Sequence, residues 1–501
     1  MATPTTTNPL LQAARDGDER SVSMLVRGSQ FHTMVNGKNE YGRTALMLAA
    51  MNGHINLLQL LVQHLGYMCH TDQIHVVDND GRTALMLAAM HGHTNVVQYL
   101  LEQKADLSVA DNGGRTALML ASACGHIALI QLFLLRSADI HRVDNEGKTA
   151  LMMASTNGHA DVVRLLRPTT YTAASHIDQN GKTALMIAAA NGHANVVQVL
   201  LEKSPDSQTS HIDPVQHVND ADKEGKTALL LASEHGHDSV VKILLSRNAC
   251  VLHTDTKDRT ALLLATTNGH EAVVRRLLLA GAAVNFTDPD GRAALTIASA
   301  HGLEVVVQWL LNAQANVNVC DRHGRTPLML AAINGHETAA KWLLNADAKV
   351  NVIDRNDKTA LMLASASGHD RVVQRLLAAG ANVHLCDSNG HTALLLASRQ
   401  GHSAIVQRLQ NAGAAMDPNP TATTATTPER GPPSDDTAAM PSASANDVCA
   451  KRHETNEERP LGQNYFTFSG LRAAMPPAST AEEEPAIEEL QARFTLCTAS
   501  E

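Results

Sequence analysis

The sequence predicts an all-α solenoid of stacked helix pairs with β-turn or hairpin fingers and a disordered C-terminal tail. Three observations lead there. The phrase Asp78-Asn-Asp-Gly81-Arg-Thr83, then ALMLAAMHGH and TNVVQYLL, returns from Asp111, Asp144, Asp178, Asp222, Asp255, Asp288, Asp321, Asp354 and Asp387. Most of these steps are 33 residues, and a fixed period of that size means one supersecondary unit repeated. After Met416 the periodicity stops and Pro, Thr, Ser and Ala take over.

Each element of the phrase has a physical reason. Asp-x-x-Gly is a turn: Asp bonds its own backbone, and Gly supplies a positive φ. The following Thr caps a short helix, ALMLAA, whose small Ala residues allow close helix–helix approach. Asn-Gly-His ends that helix. VVQxLL then places apolar residues on one face of a second helix. One such unit cannot bury its apolar face alone, so neighbours must stack.

The whole pattern, D-x-x-G-x-T-A-L-x-x-A-(A/S)-x-x-G-H-x-x-V-V-x-x-L-L, resembles the ankyrin repeat and covers Leu10 to Met416. It gives about eleven repeats plus a degenerate N-terminal cap. The family's T-P-L-H reads mostly T-A-L-M here, and Pro327 alone keeps the proline. The resemblance implies a scaffold that binds other proteins through finger tips and the exposed end of each first helix, with no reaction and no cofactor. It also implies that the His after Gly is structural, bonding backbone between the two helices.

Along the chain, residues 1–38 are expected to be a polar start and a capping helix pair, whose charges Arg15, Asp16, Asp18, Glu19 and Arg20 suit an outer face. Residues 39–416 form the array. About six extra residues separate Thr44 from Thr83. A longer excess, with Pro205 and Pro214, separates Asp178 from Asp222 and reads as a loop that lengthens one finger; the register resumes at once behind it. Asp258 and Asp357 replace the turn Gly, which Asp tolerates better than most residues. Ala293 replaces the capping Thr and Leu303 the loop His, so the repeat from Asp288 is the expected weak point. Trp309 and Trp342, flanked at the aligned place by Arg276, Arg375 and Arg408, suggest a half-buried row with Arg stacked on indole. Residues 417–501 form the tail, with Tyr465, Phe466 and Phe468 close together. Glu482 to Phe494 can form a short helix with Ile487, Leu490 and Phe494 on one face.

Composition narrows the function classes. The chain is 44% apolar and 18% charged, with a formal charge of −10. Residues 417–501 hold 14 acidic and 6 basic side chains, so −8 of that charge is theirs and the rest is nearly neutral. A nearly neutral array argues against nucleic-acid binding. Seven scattered cysteines with no CxxC point to a reducing compartment. With no apolar run long enough to cross a bilayer, the expectation is a soluble, cytoplasmic and monomeric protein.

A search for chemistry finds no P-loop, dinucleotide fingerprint, GxSxG or HExxH. The 26 histidines include the HxH pairs His91/His93 and His235/His237, but one member of each is a loop His, and no further zinc ligands converge in the pattern. Basic residues from Arg43 to Lys358 follow nearly every turn, each four residues beyond an acidic or polar turn residue, so local pairing is expected. Candidate partner-binding residues are the tip pairs Asn79/Asp80, Asn112, Lys223/Glu224 and Arg322/His323. The helix-end pairs Met90/His91, Ala123/Cys124, Glu234/His235, Ile333/Asn334 and Arg399/Gln400 join them, since these vary between aligned repeats while their neighbours barely change.

The function expected is therefore a non-enzymatic adaptor whose concave groove holds a partner protein. The alternative is a translocated effector of an intracellular bacterium, acting in the host cytoplasm. The Glu-rich run from Glu482 resembles that of some type IV secretion substrates. An ankyrin module of an enzyme ranks third.

Overall fold

The computed structural model describes residues 8–67, 71–167, 176–202 and 217–415. The loop 203–216 and the tail, with its aromatic cluster and terminal helix, lie outside the described residues. The chain divides into two compact units, Met1–Arg276 and Leu277–Glu501. Among the described residues the elements are helices, joined by turns and three isolated antiparallel bridges.

The first unit opens with a helix pair, Pro9–Asp16 and Glu19–Leu25, and a third helix, Phe31–Val35, which sequence reasoning did not foresee. Asn8 ties them together: its Oδ1 accepts from the Leu10 amide, and its Nδ2 donates to Met34 O at 2.8 Å. Asn52 Nδ2 and His54 Nε2 both reach Arg15 O, so this pair is bonded to the next as a repeat would be.

The repeat then follows the sequence grammar. In the turn at Asp78, the Gly81 amide donates to Asp78 O and the Asp78 amide to Arg82 O. Asp78 Oδ1 accepts from the amides of Asp80 and Arg82, so the buried carboxylate organises its own turn. Asp258 and Asp357 take φ of 53° and 57° in the glycine position, as expected of Asp. Thr83 Oγ1 accepts from the Met86 amide to cap helix Ala84–Met90, and the same cap recurs wherever Thr is present. Along that helix Ala84 to Ala89 are all buried. The second helix, Thr94–Glu102, buries Val96, Val97, Leu100 and Leu101. First helices pack on first helices and second on second, so truncating Met86 to Ala should cost about 2–5 kcal/mol.

Register survives both irregularities. Between Thr44 and Thr83 the excess lengthens the second helix to Ile55–Tyr67 and adds a 3-10 turn, Thr71–His75. Across 203–216, helix Ala184–Ala190 packs on Ala228–Glu234, and the Lys223 amide donates to Asn180 O at 3.0 Å. The division between units falls inside helix Glu271–Leu279, not at this loop. Where the chain enters the loop, Arg167 Nη1 donates to Val199 O and Arg247 Nη1 to Leu201 O, capping the carbonyl end of Ala194–Leu201 from both sides.

In the second unit, first helices Ala294–His301, Pro327–Asn334, Ala360–Ser367 and Ala393–Arg399 stack in the same way. Ala293 supplies no cap; Thr296 Oγ1 instead donates to Ala293 O at 2.6 Å, which leaves the helix amides without a side-chain acceptor. Trp309 is buried, 6% exposed, and its indole N–H has no partner among the described residues. The expected stacking of arginine on indole is not how the arginines are held. Arg375 bonds Glu337, Arg408 bonds Asp370 and Arg276 bonds Asp238, each a carboxylate 38 residues earlier on the preceding second helix. An ion pair with two aligned hydrogen bonds outcompetes a ring face. It is Lys341 that lies over Trp342, 5.9 Å from the ring centre.

Candidate functional site

The face made by the turns and the ends of the first helices carries the sequence-predicted residues, and it is built in two layers. The lower layer is backbone and histidine. Each loop imidazole directs Nε2 to the carbonyl that ends the first helix of the preceding repeat: His126 to Met90 O, His159 to Ala123 O, His270 to Glu234 O and His369 to Ile333 O, at 2.9 to 3.0 Å. This corrects the expectation of a bond within one repeat. A carbonyl acceptor fixes the proton on Nε2. Where another repeat follows, the glycine before the His is needed twice over: Gly125 has φ of 78°, and a Cβ there would sit 2.6 Å from His159 Nδ1.

Within each unit, fingers are joined by one backbone bond per step, such as Asn112 N to Asp80 O at 2.9 Å and Arg355 N to His323 O at 3.0 Å. In the first unit side chains join them too. Asn79 Nδ2 donates to Glu40 O, Asn112 Nδ2 to Asn79 O, Asn145 Nδ2 to Asn112 O and Gln179 Nε2 to Asn145 O. Asn79 and Asn112, predicted as free tips, therefore spend their amides on an internal ladder. The signal was in the sequence: the aligned place holds Asn, Asn, Asn and Gln in succession.

The upper layer is what remains. Asp80 is exposed and pairs with Arg82 at 3.1 Å; Glu224 is exposed and pairs with Lys226 at 3.2 Å, while Lys223 lies exposed beside it. Glu234 also meets Lys226, at 2.8 Å, so Lys226 joins finger base to helix end. Burial opposes the charge of Lys226, but both glutamates outweigh it and raise its pKa. Arg322 is 61% exposed and pairs with Asp290 at 2.7 Å, and its Nε donates to His323. Met90, Ala123 and Ile333 are half-buried; Cys124, Arg399 and Gln400 are exposed. Arg399 donates to His391 Nε2 at 2.6 Å. Three predicted helix-end residues serve the helices themselves. His91 Nδ1 bonds Leu87 O, His235 Nδ1 bonds Leu231 O, and Asn334 Nδ2 donates to Ala300 O and Leu330 O.

The basic stripe after the turns is largely paired, as expected. Arg115, Arg259, Arg292 and Arg325 meet the turn Asp of their own repeat. Arg43 and Arg82 instead reach the Asp of the next one. Burial pushes the thiols of Cys124, Cys320 and Cys386 up, so none is an activated nucleophile. Among the described residues no three His, Cys, Asp or Glu converge as metal ligands, and no helix is long and apolar enough to cross a membrane.

Such a frame defines a repeat scaffold that presents variable side chains from a constant backbone. A family model described as ankyrin repeats in three copies matches residues 2–72, 65–144, 124–213, 208–288, 262–354 and 347–422. The chain belongs to the ankyrin-repeat family, whose arrays are generally protein–protein interaction modules. No curated protein is similar enough to the chain to count as a match.

Proposed function

We propose that the chain is a non-enzymatic adaptor of the cytoplasm that holds a partner protein against the turns and first-helix ends. The observation that carries this reading is the division of labour on that face. Backbone, histidines and the first unit's tip amides hold the frame, while Asp80, Lys223, Glu224, Arg322, His323, Met90, Ile333, Arg399 and Gln400 project from it outside the core. Residues of different charge and size at aligned places suit recognition of one particular surface.

The test is quantitative capture by the immobilised full chain. Ile333→Arg and Arg399→Glu should each lower retention of a specific protein about tenfold, whereas Arg371→Ala, on an exposed second-helix position, should not. Equal retention by all three variants would remove this face from recognition.

A further inference from the structure

The last two repeats leave cations without carboxylates and apolar side chains without cover. Earlier in the second unit each finger cation is matched: Arg292 by Asp288, Arg322 by Asp290 and Arg325 by Asp321. Among the described residues, Arg355, Lys358 and Arg399 have no carboxylate within ion-pair distance. Asp354 Oδ1 is taken by the amides of Asn356 and Lys358, and Arg399 donates to His391 Nε2, whose ring in turn bonds Asp387. On the helices of the final repeat, Leu395 and Val406 are half-buried, where the aligned Met329 and Met362 are 1% exposed and Ala340 and Val373 are 0% exposed. Leu396 is half-buried beside them. A Cβ at Gly390 or Gly401 would meet nothing within 4 Å, whereas at Gly335 and Gly368 it meets the next imidazole. The surface therefore has the chemistry of an unfilled repeat interface edged with positive charge.

From these observations we infer that the chain's own segment Glu482–Phe494 packs on this surface in cis. The segment has the complementary chemistry. It carries five glutamates and one arginine, and Ile487, Leu490 and Phe494 fall at helical spacing on one face. In the sequence, 66 residues lie between Ala415 and Glu482. Their contour, up to about 220 Å, reaches any residue of the last two repeats. The aromatic cluster at Tyr465, Phe466 and Phe468 offers apolar area but no negative charge, so it matches the cover and not the cations. The contact stands whether or not the same face holds a partner. Where it does, the segment and the partner compete for Arg355 and Arg399.

Hydrogen exchange on the full chain tests it. At about 20 mM salt, amides of residues 486–494 should exchange about tenfold slower than an unstructured peptide, and the protection should shrink at about 500 mM. Reversing Glu482, Glu483, Glu488 and Glu489 to Lys should abolish the protection; this variant leaves the array sequence untouched, so misfolding of the array is no escape. Adding Arg355→Glu, Lys358→Glu and Arg399→Glu to it should restore the protection. Unstructured-rate exchange at low salt, protection of 464–471 instead, protection that the tail reversal leaves intact, or protection that rises with protein concentration would each overturn the proposal. The last of these would mean that a second copy is the occupant.

Discussion

The fingers at Asn79 to Gln179 and the repeats from Asn285 to Asn382 solve the same problem at opposite ends of the repeat. In the first region the amide side chain at each tip donates to the finger before it. In the second, tips are joined by backbone and by one side-chain pair, Arg322 with Asp290, and asparagines in the loop after the second helix make the tie. Asn285 Oδ1 accepts from the Asn316 amide, Asn318 from Lys349 and Asn351 from Asn382, at 2.7 to 2.9 Å. The first region has no such loop asparagine between Leu101 and Asp144; there Asp106 and Asp139 bond only their own turn. Moving the tie away from the tip frees the tip. His323, Arg355 and Asn356 are exposed with side chains that take no part in a tie between fingers, whereas the equally exposed Asn79, Asn112 and Asn145 spend their amides on one.

The largest test of this contrast is a glycine. Gly114 has φ of 79° and a Cβ there would lie 2.6 Å from Asn145 Oδ1, so Gly114→Ala adds a clash to backbone strain. Gly390, φ 75°, faces nothing within 4 Å, so Gly390→Ala meets strain alone. Urea unfolding should show a loss of about 2–3 kcal/mol for the first and about 1 kcal/mol for the second. Equal losses would mean that the tip ladder is not tight.

Next comes the repeat that lacks both its cap and its loop His. Ala293→Thr with Leu303→His should raise the unfolding midpoint, by about 1–2 kcal/mol if both bonds form. An unchanged midpoint would show that the Thr296 bond to Ala293 O already compensates.

Removing one rung sharpens the comparison further. Asn145→Ala deletes the donor to Asn112 O and should cost about 1 kcal/mol, while Ser388→Ala, a tip held by its backbone, should change stability by less than about 0.5 kcal/mol.

Much of this was legible in the sequence and some was not. Period, turn Asp, Thr cap and the tolerance of Asp258 and Asp357 for positive φ follow from single residues acting on their own backbone. The tip ladder was visible too, as Asn at one aligned place, but variation elsewhere at the tips hid it. What could not be read is any bond that crosses repeats: the loop His reaching back to the previous helix, or Arg375 choosing Glu337 over the neighbouring Trp342. Such partners are set by stacking geometry, which local propensity does not contain. The third helix, Phe31–Val35, was missed because five residues are too few to show a period.

The smallest expected effect is on pH. Burial is the main cause that holds His93 below the ordinary histidine range, with His91, His126 and His54 adding repulsion against its bond to Met51 O. Burial likewise lowers His253, 5% exposed, against its bond to Gly225 O and the charge of Asp255. A lowered folded pKa means the unfolded chain binds more protons, so this stability is complete above about pH 6.5 and is lost as pH falls below it. Unfolding of the first unit should ease between about pH 7 and pH 5, and His253→Gln should flatten that slope. A slope unchanged in the variant would place the effect elsewhere.

The central claim is that recognition uses the tips and first-helix ends whose side chains are not spent on the frame, those of the second unit among them. Hydrogen exchange of the full chain with and without its captured partner tests it most directly. The account predicts slowed exchange at residues 321–325, 333–335 and 354–358, with the ladder tips at 79, 112 and 145 unchanged. Slowed exchange confined to second helices such as Glu337–Asn345, with the fingers unaffected, would contradict it.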